Sequence, residues 1–141
     1  PAYTFGYNHA LFAQRVHDVM TITNYLLTPR DASQPPIKKV SLAGFGQMGV
    51  VAAAARAVTG EAIAKAAVDT GGFRFGQLLD YRHPMFLPGG AKYLDVPGLL
   101  CVASVQPLWV AGEQDHMFFR SATPHIEGTD ARTAAAAWLG R

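Results

Sequence analysis

A short strand that runs into a glycine turn and leaves it as a helix constrains this chain more than any other feature. Lys38-Lys39-Val40-Ser41-Leu42-Ala43 reads as the strand, ended by Gly44. Gly44-Phe45-Gly46-Gln47-Met48-Gly49 is the turn, and Met48 to Val58 reads as an alanine-rich helix stopped near Gly60. A strand handing over directly to a helix belongs to layered α/β folds, where helices cover a sheet. The surrounding chain fits that order. Before the turn, Leu11, Phe12, Val16, Val19, Met20, Thr23, Leu26 and Leu27 fall on one stripe at helical spacing, which predicts a helix from His9 to Leu27 with Asn8 as its cap. Pro29 stops it, and the polar segment Thr28 to Pro36 is a connection. After the turn, Ala64 to Val68 reads as a weaker strand ending at Asp69-Thr70-Gly71-Gly72. Phe73 to Gly98 is a long stretch rich in glycine, proline and aromatic residues. Leu99 to Ser104 reads as a helix, Pro107 to Ala111 as a third strand, and Thr129 to Leu139 as a last helix anchored by Trp138.

These elements predict one three-layer α/β/α domain over residues 1–141, with a short, mostly parallel sheet. Strands apolar on both faces are what buried parallel sheets require. Three strands make a thin sheet with an exposed edge, which predicts a homo-oligomer or a chain that is part of something longer. With 141 residues, half of them apolar (50%), the chain has material for one core. The formal charge is only +2, and its basic residues are scattered, whereas nucleic-acid binding calls for a basic patch. The longest apolar run, Val50 to Ala55, is far too short to span a bilayer, so no membrane partner is expected. Pro1-Ala2-Tyr3-Thr4 has no secretory character, and the chain reads as soluble, in a compartment the sequence leaves open. A lone cysteine, Cys101, excludes an internal disulfide; among Leu99, Leu100 and Val102 it reads as a buried, inert thiol.

The glycine turn admits two chemistries. Gly44, Gly46 and Gly49 fit G-x-G-x-x-G, the dinucleotide fingerprint, and Asp69 stands about 20 residues on, where a ribose-binding acid would sit. The long excursion before the third strand counts against that unit. The same turn fits a nucleophile elbow, G-x-S-x-G, with Gly46 in the serine position and Met48 where a small residue usually follows. Glycine adopts such a bend more easily than serine.

The order of elements, together with the segments TFGYNHALFAQRVHDV, AVDTGGFRF, RHPMFLPGG and PLWVAGE, resembles the C-terminal half of an α/β-hydrolase of the acetylxylan-esterase and dienelactone-hydrolase-like branch. The resemblance implies a carboxylic-ester hydrolase acting on a small-molecule ester without a cofactor. It places the nucleophile position on Gly46, an oxyanion donor on the Gln47 N–H, the acid on Asp115 and the base on His125. Without an Oγ there is no acyl-enzyme, and the surviving route is a base-activated water. Asp115 and His125 are too close in sequence to hold the helix and strand that the family places between them. The chain therefore reads as truncated, shortened or a pseudoenzyme. A catalytically inactive hydrolase-like binding module and a dinucleotide-binding oxidoreductase fragment stay open as alternatives.

Each candidate also has a plainer role. Asp115 in a Gly-x-x-Asp turn is a turn former, and His125 after Pro124 is a loop histidine. Asp69 caps the Gly71-Gly72 turn. His17 and Asp18 lie on a polar helix face, and His9, His83 and His116 have no metal-ligand spacing. Ser41, Ser104 and Ser121 lack elbow context, although Ser121 lies near His125. Phe73, Phe75, Phe86 and Trp109 are expected to line an apolar substrate pocket, or else to pack.

Overall fold

The computed structural model describes residues 9–29, 35–113 and 130–141. Three strands form one parallel sheet: β1 (Val40–Gly44), β2 (Ile63–Asp69) and β3 (Leu108–Ala111), in the order β1-β2-β3. Leu42 pairs with Ala66 and Ala66 with Leu108; one residue on, Ala43 pairs with Ala67 and Ala67 with Trp109. Because side chains alternate along a strand, these rows divide between two faces. The chain is a small α/β fold with helices on both of them.

The larger core lies on the face of Leu42, Ala66, Val68, Leu108 and Val110. Its centre is α2 (Gln47–Thr59), in which every residue from Gly49 to Arg56 is buried. Small side chains allow that burial, because Ala52 to Ala55 bring the helix axis close to its neighbours. On either side of α2 stand α1 (Leu11–Leu27), through Phe12 and Val16, and α3 (Asp95–Ala103), through Val96, Leu100 and Ala103. The opposite face carries a single helix, α4 (Ala131–Leu139), packed on Ala67 and Trp109 through Ala135, with Trp138 beside it. Lys65 Nζ sits 5.6 Å from the centre of the Trp138 ring, an attraction of cation and π-face.

Several expectations shift. The helix α1 starts at Leu11 with Ala10 in the cap position, and Asn8 lies outside the described residues. Burial on both faces holds for β2 and β3, but β1 leaves Ser41 and Ala43 exposed because α4 does not reach over it. The helix α3 begins at Asp95 rather than Leu99. Pro97 is its third residue, and a proline in a first turn forfeits no internal hydrogen bond. That longer helix corrects the reading of Cys101. Val96, Leu100 and Ala103 form the inward stripe, which turns Cys101 outward, and its thiol is exposed.

The burial of Arg56 was not anticipated. Arg56, in the last turn of α2, donates from Nη1 to the Gly60 carbonyl, while Nε and Nη2 have no partner. Burial lowers the pKa of this guanidinium.

Candidate functional site

Parallel α/β sheets place their ligands beyond the carboxyl ends of the strands. Here that end is built from the Gly44–Gly49 turn after β1, residues 69–74 after β2, and Gly112-Glu113 after β3.

Two residues, Phe45 and Gly46, separate β1 from α2. The three turn glycines have different physical reasons to be there. A Cβ on Gly44 would lie 2.5 Å from the Met48 carbonyl oxygen and 2.6 Å from the Ala52 Cβ, so the turn can close only around a glycine. A Cβ on Gly49 would lie 1.9 Å from the Asp69 carbonyl oxygen, so α2 crosses the end of β2 in backbone contact. Gly46 is governed by conformation: φ is 58° and ψ −135°, and a Cβ there would meet nothing within 4 Å. The bend is sharp, exposed and open on its outer side. Its first amides are partly committed, since the Met48 N–H donates to the Phe45 carbonyl (3.2 Å) and the Gly49 N–H to the Gly46 carbonyl (2.9 Å).

The β2 and β3 side is dense. Asp69 Oδ1 accepts the Gly71 N–H at 3.0 Å, which is the turn-capping role expected of it. The Thr70 N–H donates to the Ala111 carbonyl at 3.0 Å, and the Thr70 hydroxyl donates to Glu113 Oε1. Arg74 closes on the same carboxylate as a fork, with Nη1 to Oε1 at 3.0 Å and Nη2 to Oε2 at 2.5 Å. The Glu113 side chain is wholly buried, while that of Arg74 is 26% exposed. A buried carboxylate held by two guanidinium bonds and a hydroxyl has little accepting capacity left. Glu113 therefore ties the loop after β2 to the loop after β3 and is not available to orient a base. Sequence reasoning missed this triad of Thr70, Arg74 and Glu113. The only local signal was an acid placed directly after a wholly apolar strand.

Asp115 and His125, and with them His116 and Ser121, lie outside the described residues. Gln47 stands at the head of α2, exposed, with Gly46 before it. Of the expected pocket aromatics, Phe73 and Phe75 meet edge to face with centroids 5.2 Å apart, and Phe12 joins them at 5.2 Å from Phe75. Phe86 is half-buried in the loop that follows. Trp109 is on the opposite face, under α4, and does not belong to that aromatic group. Among the described residues no three His, Cys, Asp or Glu side chains gather closely enough to hold a metal ion. No helix among them is long and apolar enough to cross a membrane. Compared with family models, curated proteins and solved structures, the chain matches none.

Proposed function

We propose that this domain is a hydrolase-shaped module for small carboxylic esters, which keeps the elbow bend and lacks the nucleophile that the bend would carry. The observation that carries this reading is the backbone at Gly46. A residue at positive φ turns the chain from strand into helix, with open space where a side chain would project. That is the setting a nucleophile elbow requires. The following amide, Gln47 N–H, is the donor such a site would offer to a carbonyl oxygen. Turnover in this chemistry runs through water. A base, His125 in the family pattern with Asp115 behind it, takes a proton from water, and the oxygen adds to the ester carbonyl carbon. The oxyanion accepts the Gln47 N–H, and collapse expels the alkoxide, which takes the proton back from the base. Lacking a covalent intermediate, such a site is a weak catalyst and serves chiefly as a binding cleft.

The test is Gly46→Ser. In the wild-type protein a serine-directed phosphonate should leave position 46 unlabelled and p-nitrophenyl acetate should turn over slowly or not at all. In the variant, phosphonate should label position 46 and ester turnover should rise. No labelling and no gain in the folded variant sinks the elbow.

A second reading has its own observation. The third glycine that meets the β2 backbone is Gly49, three residues after Gly46, as G-x-G-x-x-G requires, and Asp69 closes β2. Against it, two of the amides that would face a pyrophosphate are already bonded to Phe45 and Gly46. Thermal stabilisation by NAD that is lost in Asp69→Ala would replace the ester reading with this one.

A further inference from the structure

A 260 Å³ cavity lies away from the Gly46 bend, between α1, α2, α3 and the loop that leads into α3. Its walls are apolar: Phe12, Ala54, Phe75, Leu87, Leu99 and Val102. Ala54 is eight residues beyond Gly46, or about 12 Å along the α2 axis, so the cavity is a separate place from the sheet-end site.

Among the described residues two charged ones line it, and they are not equivalent. Asp95 is occupied by the backbone: Oδ1 accepts the Phe75 N–H (2.9 Å) and the Val96 N–H (2.7 Å), and Oδ2 accepts the Gly76 N–H (2.8 Å). Lys92 is exposed at the rim, its ammonium 5.0 Å from the centre of the Tyr93 ring. An apolar chamber with one solvated cation at its mouth matches a small amphiphile with an anionic head. The rim is also the most unusual stretch of backbone among the described residues. Tyr93, Leu94 and Asp95 are consecutive non-glycine residues at positive φ (60°, 71° and 54°). Such conformations persist only where the surroundings enforce them, and they concentrate at ligand clamps. Here the Asp95 carboxylate does the enforcing, and Gly98 makes room, since a Cβ on it would lie 2.0 Å from the Tyr93 carbonyl oxygen.

We infer that this cavity is a binding site for a small apolar carboxylate, its hydrocarbon body against Phe12, Phe75 and Leu99 and its carboxylate at Lys92. The volume lies just below the range of drug-sized pockets, which suits a body of about six to eight carbon atoms. The assignment does not rest on the ester reading, because no residue of the Gly46 turn lines the cavity.

Titration calorimetry of the whole chain with hexanoate, hexylamine and 1-hexanol tests it. Hexanoate should bind about tenfold more tightly than hexylamine, the size expected of a half-solvated ion pair gained in one case and repelled in the other. In Lys92→Gln, an exposed position, that preference should vanish while 1-hexanol binding is unchanged. Leu99→Trp should fill the chamber and abolish binding of all three. Gly46→Ser should leave hexanoate binding untouched, which keeps the outcome separate from that of the elbow. Equal binding of hexanoate and hexylamine, a preference that survives Lys92→Gln, or no hexanoate binding at millimolar concentration would overturn the assignment. Should Leu99→Trp fail to fold by circular dichroism, the Lys92→Gln comparison decides alone.

Discussion

The two sides of the sheet's carboxyl end are built on opposite plans. After β1, the Gly46 bend is open, and its glycine is demanded by backbone conformation alone. After β2 and β3, the chain is wired. Gly112 combines a positive φ of 79° with crowding, since a Cβ there would lie 2.4 Å from the Gly71 nitrogen. Beside it the Glu113 carboxylate is buried under Arg74 and Thr70. The difference separates two structural jobs. One side holds geometry, and the other leaves room. A tied frame on β2 and β3 stands beside an open bend on β1, and the open bend is where the proposed ester site would have space for a carbonyl oxygen.

The largest expected break in that contrast is Glu113→Ala. It strands the Arg74 guanidinium over a buried gap, and losing one partner of a buried pair costs about 3 kcal/mol or more. Urea denaturation should show it as a lower midpoint at unchanged m-value. Next come the paired glycines. Gly112→Ala carries both backbone strain and a steric clash, together about 2–4 kcal/mol. Gly46→Ala carries strain only, about 1–2 kcal/mol. Equal losses in thermal or urea denaturation would erase the distinction between the two sides. The smallest effect concerns α4, which backs the wired side. Asp130 caps that helix, accepting the Arg132 N–H at 3.2 Å and the Thr133 hydroxyl at 3.1 Å. The bond from the Arg132 amide, followed by that from Thr133, holds its pKa below the usual carboxylate value. A depressed folded pKa means the cap contributes fully above the unfolded value, near pH 4, and loses its contribution as pH falls through the folded one. Helical circular dichroism of the wild type should therefore decline slightly more on acidification than that of Asp130→Asn.

How legible all this was from the amino-acid order depends on how local each cause is. The turn at Gly44–Gly49 and the helix after it were legible because their determinants are adjacent in sequence. The strand Ile63–Asp69 was legible only in its middle, since Lys65 interrupts its apolar pattern and its partner strands complete it. The start of α3 was obscured by Pro97 and Gly98, two residues that usually break helices, yet one is tolerated in a first turn and the other receives the Tyr93 carbonyl. Cys101 was misread for the same reason: without the true start, the inward stripe of that helix cannot be drawn. Arg74 and Glu113 are 39 residues apart, and no spacing rule joins them. The aromatic expectation was half local: Phe73 and Phe75 share a loop, whereas Trp109 was assigned by residue type, and strand alternation sends it to the other face.

The unbroken burial of α2 has a consequence for how this protein can vary. A helix enclosed by sheet and by two other helices has room for a larger side chain only at Ala54, which borders the cavity. In a saturation library, residues 50–53 and 55 should accept almost nothing bulkier than what they have, while fully exposed Leu79 and largely exposed Val105 should accept nearly any replacement. Divergent copies of this chain would thus keep that small-residue band almost letter for letter while their outer loops drift. The band would be a better probe for distant kin than the glycines of the turn.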